Sequence, residues 1–504
     1  MDKTIQMNPN ALVCALQKRP EEFTKADIIQ FVEDNSIRMV NFMYPGEDGR
    51  LKTLNFVINN RQYLETILTE GERVDGSSLY PSFVEAGNSD LYVIPRFCTA
   101  FVDPFAEIPT LGLLCSFYTK EGTPFDGAPY ETLLRAADAF RRKTGMEFEA
   151  MGELEYYVIA EEEMLFPATD QRGYHESAPF AKLGAFRQRC MDYIAQTGGL
   201  IKYGHSEVGN FTRDGKVYEQ NEVEFLPSPV ATAADQLLLA KWVIRNLAYD
   251  YGLDVTFAPK IIVGEAGSGL HIHMRMTKDG HNQLLNDERK LSEIARRSIA
   301  GMMLLAPAIT AFGNKNPTSY FRLVPHQEAP TNVCWGDSNR SALVRVPLGW
   351  TSGKDMCHAA NPHEPESMSD TREKQTFEMR SPDCSADIYQ LMAGLCVAAR
   401  IGLELETDIA LQLTASKYVS VNIHAAEHAD QLERLDTLPT SCAESAERLE
   451  QNRQYFEAEG VFRPRMIDGI IRSLKAFDDK NLHAEADANP ELMQKLVEKY
   501  FYCG

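Results

Sequence analysis

Several features that mark particular protein classes are scarce in this sequence. Its ten cysteines are scattered from Cys14 to Cys503 without a C-x-x-C pair, so neither a disulfide framework nor a zinc cage is expected, and reduced cytosolic thiols fit best. No run approaches the roughly 18 apolar residues of a membrane helix, and residues 1–20 lack an apolar signal core. We therefore expect a soluble, cytoplasmic protein without a membrane partner.

Basic residues are also few. The chain has 51 Lys and Arg against 72 Asp and Glu, for a formal net charge of −21. A nucleic acid would meet net repulsion from such a protein, so no nucleic-acid partner is expected. The acidic excess suits a solvated surface, and it also offers carboxylates for divalent cations.

Common nucleotide-binding loops are absent as well. Neither a G-x-x-x-x-G-K-[ST] loop nor a protein-kinase signature occurs, and "GEAGSG" at residues 264–269 lacks the G-x-G-x-x-G spacing. If ATP binds, it must be held by metals, arginines and another backbone cradle.

The first 125 residues predict an extension followed by a small β domain. Thr24 and Asp27 form a capping box before an apolar stripe at helical spacing. The runs "IRMVNFMY" and "LKTLNFVI" are β-rich and are separated by "PGEDG", a turn by composition. We expect an N-terminal extension and first helix over residues 1–34 and a mainly β domain over residues 35–125.

After "EGTPFDGAP" the pattern changes to long helices mixed with strands. The clearest helix is predicted to start at Thr232, with Asp235 in the capping-box position, and to stop at Gly252. Asn489 before a proline marks another helix start. The expected fold class is α+β, with a catalytic domain over residues 126–504.

The chemistry begins at "GELEYYVI". Successive side chains of a strand point to opposite faces, so Glu153 and Glu155 project the same way. Two carboxylates one pleat apart repel each other unless a cation or hydrogen-bond donors lie between them. Taken alone, the pair also suits an exposed strand face.

The same spacing returns in two other segments. "QNEVEF" and "HIH" each place a pair of like side chains on one strand face, and two more carboxylates stand in "HSEVG" and "FEMRSPD". Oxygen-dominated ligation with a single imidazole suits Mg²⁺ or Mn²⁺ better than zinc. The candidates for this divalent-metal site are Glu153, Glu155, Glu207, Glu222, Glu224, His271, His273 and Glu378.

Four arginines lie in short apolar segments. They are Arg322 in "YFRLVP", Arg340 and Arg345 in "NRSALVRVP", and Arg380 in "EMRSPD". Because guanidinium groups bind carboxylate or phosphate bidentately, these residues favour a site for an anionic or phosphorylated substrate.

Taken together, these segments resemble the type I glutamine synthetases. "VDGSS", "GELEYY", "HSEV" with "QNEV", "GSGLHIH", "RLVP" with "EAP", "NRSALVRVP" and "EMRSPD" follow one another in the order of that family, from about residue 35 to the C-terminal "EGVFRPRMID". The resemblance implies an N-terminal β-grasp domain followed by the synthetase catalytic domain.

The resemblance also implies a metal centre. One Mg²⁺ or Mn²⁺ ion would be held by Glu155, Glu207 and Glu222, and a second by Glu153, His271 and Glu378. Glu224 remains a rival to Glu222, because both share a strand face, although the "QNEV" match favours Glu222.

Further roles follow from the same resemblance. Glutamate would be bound by Arg322, Arg380 and the backbone at Gly267, and ATP by His273, Arg340 and Arg345. Glu328 resembles a flap carboxylate that closes over the substrate, and Arg340 would act on the transferred phosphate. Asp75, supplied by a neighbouring subunit, would take a proton from ammonium.

The implied reaction is ATP-dependent ligation of ammonia to L-glutamate, which gives L-glutamine, ADP and phosphate through γ-glutamyl phosphate. Such enzymes form two stacked hexameric rings, so we expect a homo-dodecamer whose partners are otherwise small molecules.

The chain departs from the family pattern at several points. Ala266 stands where an asparagine is common, His326 and Gln327 replace Gly-Tyr in the flap, and "GNFTRDGKVYE" is an insertion predicted to alter a loop near the metals. Glu373-Lys374-Gln375-Thr376 replaces a basic cluster that contacts the nucleotide in the family. Two alternatives therefore stay open: a γ-glutamyl ligase that uses an organic amine, and a non-catalytic ring-forming relative.

Overall fold

The computed structural model describes residues 3–84, 89–325, 329–347, 354–367, 370–423 and 432–504. The α-helices are α1 Lys3–Gln6, α2 Ala11–Leu16, α3 Lys25–Asp34, α4 Arg61–Glu70, α5 Gly76–Leu79, α6 Pro129–Thr144, α7 Gly184–Gln196, α8 Val230–Asp250, α9 Glu293–Gly313, α10 Ser319–Arg322, α11 Met356–Ala360, α12 Ile388–Glu404, α13 Thr407–Ser416, α14 Cys442–Glu457, α15 Pro464–Lys475, α16 Leu482–Ala488 and α17 Pro490–Tyr500. The strands are β1 Met39–Pro45, β2 Leu51–Val57, β3 Glu72–Asp75, β4 Asp90–Pro95, β5 Phe101–Val102, β6 Thr110–Tyr118, β7 Glu147–Glu161, β8 Ile201–Arg213, β9 Lys216–Phe225, β10 Ser228–Pro229, β11 Asp254–Thr256, β12 Leu270–Lys278, β13 His281–Asn282, β14 Trp335–Asp337, β15 Val344–Val346 and β16 Phe377–Met379.

The capping box at Thr24 is confirmed. The Thr24 hydroxyl accepts a hydrogen bond from the backbone N–H of Asp27 at 3.3 Å, and the Asp27 carboxylate accepts one from the N–H of Thr24 at 2.8 Å. The helix that begins there, α3, is the third and not the first, because the predicted extension itself contains α1 and α2.

The first sheet is built around the two β-rich runs. β1 and β2 pair antiparallel across the "PGEDG" turn, as their composition predicts, and β1 lies parallel to β6. Within the described residues the order is β2-β1-β6-β4-β3, with β5 also on β6. Phe42, Val93 and Leu113 are fully buried beneath α3 and α4 in the core of this unit.

The second sheet carries the paired carboxylates. Its described strands run in the order β14-β15-β16-β12-β7-β9-β8, with β10 and β11 on β7 and β13 on β12. A Cβ atom added at Gly152 would lie 2.8 Å from Leu237 of α8, so this side of β7 packs directly against a helix. Since alternate residues face opposite ways, Glu153 and Glu155 face away from α8, as expected.

The helix predicted to start at Thr232 is longer at its N-terminus. α8 begins at Val230, directly after β10, and no side-chain cap is formed there. Asp235 does not act as a capping residue: its carboxylate accepts hydrogen bonds from Arg96 at 2.6 and 2.9 Å and from the Tyr389 hydroxyl at 2.7 Å. Arg96, a largely buried arginine directly after β4, therefore binds the carboxylate that local sequence assigned to the helix terminus.

The insertion between Glu207 and Glu222 was predicted to alter a loop, but it forms a β-hairpin. β8 and β9 continue beyond Glu207 and Glu222 and turn at Asp214 and Gly215, both of which have positive φ values, 53° and 74°. The Asp-Gly pair suits such a turn, because both central residues of a tight hairpin turn need positive φ.

In the described part of the chain no single helix is long and apolar enough to cross a membrane. Only when α12 and α13 are taken together are they long and apolar enough to cross a membrane. The two helices are bent by 119° at their junction.

Candidate active site

A cavity of about 680 Å³ opens over the carboxylates of β7 and β9. Antiparallel pairing sets Glu153 opposite Glu224 and Glu155 opposite Glu222. All four side chains line the cavity and are less than a tenth exposed. Four carboxylates in one low-dielectric site repel one another strongly, so the arrangement favours a bound cation.

Both histidines of "HIH" turn toward this cluster. The Nδ1 atom of His271 lies 2.7 Å from Oε2 of Glu153, and the Nε2 atom of His273 lies 2.7 Å from its Oε1. His273 also reaches Glu378 on β16 at 2.5 Å, and its Nδ1 atom is 2.8 Å from the Thr376 hydroxyl. The structure therefore confirms the prediction that the two imidazoles lie on the same face of the strand.

The two imidazoles differ electrostatically. Burial lowers the pKa of His271, and the hydrogen bond to Glu153 only partly opposes this effect. Burial also opposes charging of His273, but the carboxylates of Glu378 and Glu153 outweigh it and raise its pKa to about 10. In the metal-free site these pKa shifts favour the neutral form of His271 and the cationic form of His273.

Glu222 and Glu224 are distinguished by their partners. Glu224 accepts a hydrogen bond from the Tyr203 hydroxyl at 2.6 Å and forms a 2.6 Å ion pair with Lys202. Glu222 lies 3.6 Å from His205, whose pKa is lowered by burial. Burial and the neighbouring carboxylates raise the pKa of Glu222 well above its usual value. Glu222 is thus the carboxylate whose charge is less well balanced.

Three groupings of ligand atoms lie close enough to hold an ion. Within each grouping the ligand atoms lie within 4.8 Å of one another. The first grouping is Glu153 with His273 and Glu378, the second is His205 with Glu207 and Glu222, and the third is Glu153 with Glu222 and Glu224. These groupings contain four of the six predicted ligands, namely Glu153, Glu207, Glu222 and Glu378. The other two adjoin these groupings: His271 lies 2.7 Å from Glu153, and Glu155 lies 3.9 Å from His271.

The glycines before "HIH" allow a close approach of the backbone. A Cβ atom at Gly269 would lie 2.4 Å from Nη2 of Arg322 and 3.0 Å from Nε2 of His271. At Gly267 it would lie 2.5 Å from the carbonyl oxygen of Pro259. At Gly267 the neighbour is backbone, so that position requires glycine for space, whereas a side chain at Gly269 would displace the end of Arg322.

The same glycine segment is tied to Glu155. The Glu155 carboxylate accepts hydrogen bonds from the N–H of Gly269 at 2.7 Å and from the Gln220 amide at 3.2 Å. That amide also donates to the Gly267 carbonyl at 3.0 Å. β7, β9 and the glycine segment therefore hold one another in register at the site.

The predicted arginines converge on the same cavity. Glu378, which is fully buried, forms ion pairs with Arg345 at 2.7 Å and with Arg380 at 3.2 Å. Arg322 donates to the backbone carbonyls of Ser381 and Pro382 at 2.8 and 3.2 Å. All three, together with Arg340, line the cavity. The positive charge expected around an anionic substrate is present there.

Among the described residues predicted for the site, Asp75, His273 and Glu378 do not line this cavity. His273 and Glu378 nevertheless contact the lining residues Glu153 and Arg345. Asp75 is an exposed N-cap residue whose carboxylate accepts from the backbone and hydroxyl of Ser77 and from the hydroxyl of Ser78. It is not among the described residues that line the cavity. Glu328 lies outside the described residues.

A ring cluster at the cavity wall was missed by the sequence reasoning. Tyr174 stacks on His175 with centroids 4.2 Å apart, and His205 lies 4.3 Å from the same histidine ring. Tyr174, Tyr203 and His205 line the cavity. His205 was visible in "HSEV", but Tyr174 lies in an irregular segment far from it along the chain, and no local pattern marks it.

Comparison with known proteins identifies the relatives of this architecture. The model of the glutamine synthetase catalytic domain matches residues 126–489, and that of the glutamine synthetase β-grasp domain matches residues 36–120. A glutamine synthetase from Clostridium saccharobutylicum is 31% identical over 451 residues, covering 87% of this chain and 92% of the relative. One from Pyrococcus furiosus is 30% identical over 433 residues, covering 85% and 88%.

Solved structures share the fold at lower identity. A GmaS/ADP complex superposes with a TM-score of 0.72 at 16% identity, covering 92% of this chain and 99% of that one. The glutamine synthetase of Plasmodium falciparum gives a TM-score of 0.72 at 18% identity, covering 91% and 96%. The α+β fold with an N-terminal β-grasp domain is thereby confirmed. On the match of its β-grasp and catalytic regions, this chain belongs to the glutamine synthetase family of ligases.

Proposed function

We propose that this chain ligates ammonia to L-glutamate at the expense of ATP, giving L-glutamine, ADP and phosphate through γ-glutamyl phosphate. The observation that carries the proposal is the meeting of acidic, imidazole and guanidinium side chains in one cavity, in a chain about 30% identical to glutamine synthetases. The domains would span residues 35–125 and 126–504.

The donor set fits two divalent cations. Glu155, Glu207 and Glu222 would hold one ion, which suits the raised pKa of Glu222 in a crowd of carboxylates. Glu153, His271 and Glu378 would hold the other, and the lowered pKa of His271 suits a ligand that must bind as the neutral imidazole. Mg²⁺ or Mn²⁺ ions there would supply positive charge that stabilises a transferring phosphoryl group.

The arginines would provide the remaining charge compensation. A carboxylate is a poor acceptor for an amine, so the γ-carboxylate of glutamate would first attack the γ-phosphate of ATP. Arg340 and Arg345 would stabilise the charge that develops on the phosphate, with His273 facing the nucleotide. Arg322, Arg380 and the backbone at Gly267 would orient glutamate. Their location along one cavity supports this division of roles.

The second half-reaction would need a base and a closed site. Ammonium has no free electron pair, so Asp75 of a neighbouring copy would remove a proton before the amine attacks the acyl phosphate. Glu328 would help to exclude water, which would otherwise hydrolyse that intermediate. Because Asp75 is exposed and outside the cavity of its own chain, this role requires an oligomer. We propose a cytoplasmic dodecamer of two hexameric rings.

An organic amine is the second candidate for the acceptor. Tyr174, Tyr203 and His205 line the cavity close to Glu222 and Glu224. Aromatic faces combined with carboxylates attract organic ammonium ions as well as ammonium itself. The GmaS/ADP complex shares this fold, but at 16% identity it does not choose between acceptors.

Phosphate release by the purified protein decides between these functions. With ATP, Mg²⁺ and glutamate, we expect release that depends on ammonium and yields glutamine. Faster release with methylamine or putrescine than with ammonium would transfer the assignment to the organic-amine ligase. No release with any amine would leave the non-catalytic ring-forming relative as the better description.

A further inference from the structure

A second cavity of about 630 Å³ adjoins the active site. On β15, Arg345 lines the first cavity and the next residue, Val346, lines the second. Neighbouring side chains of a strand face opposite ways, so the new cavity lies behind the strand that carries Arg345. Asp337 and Ser338 line both cavities.

The floor of this cavity is aromatic and apolar. Trp335 and Tyr418 pack with their ring centroids 4.9 Å apart, and both line the cavity together with Leu411. The indole N–H of Trp335 donates to the carbonyl oxygen of Thr414 at 2.7 Å. With its polar atom satisfied in this way, the indole offers the cavity an apolar surface that suits a flat aromatic ring.

The rim of the cavity is cationic. Arg289, Lys290 and Arg296 line it, whereas Asp337 is the carboxylate among the described lining residues. Lys290 pairs with Glu288 at 2.9 Å, but both side chains are about 70% exposed, so solvent weakens that pair. On a chain with a net charge of −21, three cations around an aromatic floor form a local attraction for anions.

The walls come from elements that are held in place. Leu285 and Leu291 bridge the ends of a turn, and the N–H of Asn286 donates to the carbonyl of Lys290 at 2.9 Å. Elsewhere in the lining the Thr414 hydroxyl donates to the backbone carbonyl of Arg296 at 2.7 Å, tying α13 to α9. The cavity is therefore built from several tied elements and is not a gap beside a single loop.

From this combination we propose that the second cavity binds a small aromatic anion, whose fused rings lie on Trp335 and Tyr418 and whose carboxylate or phosphate is held by Arg296 and its basic neighbours. The volume lies within the range of small-molecule sites, roughly 300–1,000 Å³. This assignment is independent of the proposed ligase activity, because it rests on a different cavity.

Calorimetric titration of the full chain with 2-naphthoate tests the proposal. We expect one site per chain and no measurable binding of the uncharged 2-naphthamide. Arg296→Glu reverses a charge on the exposed rim and should weaken binding about tenfold or more, the equivalent of a single charge-assisted contact. Arg448→Glu is the matched control, because Arg448 is an exposed helical arginine that does not line the cavity.

A second variant tests the aromatic floor without changing charge. Ala415 is exposed and lines the cavity, so Ala415→Phe should fill it and abolish 2-naphthoate binding while the thermal unfolding temperature stays unchanged. Wild-type affinity in both Arg296→Glu and Ala415→Phe would overturn the proposal, as would the absence of 2-naphthoate binding to the wild-type chain. None of these measurements requires turnover, so failure of the proposed ligase activity would remain distinguishable.

Discussion

His273 and Glu153 lie in direct contact, with Nε2 of the imidazole 2.7 Å from Oε1 of the carboxylate. His271 holds the other oxygen of the same carboxylate at the same distance. Two imidazoles on one strand thus share a single glutamate, and the proposed metal site assigns the ligand role to His271 alone.

We expect substitutions of the two histidines to have different effects on the Mg²⁺-dependent rise in unfolding temperature. His271→Ala should lose most of the Mg²⁺-dependent rise in unfolding temperature, because a neutral imidazole beside Glu153 and Glu155 is removed. His273→Ala should retain that rise, since its imidazole is cationic and anchored on Thr376. At a Mg²⁺ concentration 100 times the dissociation constant, the stabilisation is about 2.7 kcal/mol. The opposite ranking would exchange the roles of the two residues.

A Mg²⁺ titration of variants also distinguishes between Glu222 and Glu224 as the metal ligand. Glu222→Gln should stabilise the metal-free protein, because it relieves repulsion in the cluster, and it should abolish the stabilisation by Mg²⁺. Glu224→Gln is the isosteric control. Lys202 and Tyr203 already compensate its charge, so the response to Mg²⁺ should persist. Loss of that response in Glu224→Gln alone would make Glu224 the ligand.

Gly269→Ala should fold and lose activity. The added Cβ would meet Arg322 and His271 at 2.4 and 3.0 Å, so both side chains must move. A displacement of about 1 Å near the reacting groups lowers turnover on the order of 100-fold. Gly184→Ala is the control, because its Cβ would meet Arg187 at an ordinary 3.7 Å. Wild-type kcat in Gly269→Ala would show that this close approach is not needed.

Asp235→Ala should lower the unfolding temperature more than a surface ion-pair variant does. Its partner Arg96, with a side chain only 13% exposed, would lose a bidentate contact and remain buried without compensation, which costs about 3–5 kcal/mol. Glu65→Ala breaks the pair with Arg61, which is 62% exposed, and should cost about 1 kcal/mol or less. Equal unfolding temperatures for the two variants would refute a stabilising contact between Asp235 of α8 and Arg96.

The proposed sharing of each active site between two copies predicts complementation. Asp75→Ala and Glu222→Gln should each be inactive alone, because each removes one half of a shared site. Their co-expression should recover partial activity, since mixed oligomers contain sites with both wild-type halves. Light scattering should find one large assembly in every sample. An active monomer, or no recovery on co-expression of mixed oligomers, would place Asp75 outside the reaction.

The local patterns of the sequence were sufficient wherever side-chain periodicity alone decides geometry. The i and i+2 spacing of Glu153 with Glu155, and of His271 with His273, required a shared face once these segments were strands. The capping box at Thr24 was correct because its hydrogen bonds join residues only three positions apart. In the same way, the Asn489 side chain caps the helix that begins at the following proline.

Tertiary contacts decided the features that depend on distant partners. Asp235 was predicted to be a capping residue, but its carboxylate accepts hydrogen bonds from Arg96 and Tyr389, which are distant along the chain. Lys202 and Tyr203 distinguished Glu224 from Glu222, and the packing of β14 against α13 created the second cavity. The sequence by itself determined the strand faces and the local caps, because these follow from short-range geometry, and it supplied the candidates for metal ligation. Only the tertiary structure decided which charges are compensated and where cavities lie, because electrostatic balance and packing depend on residues brought together by folding.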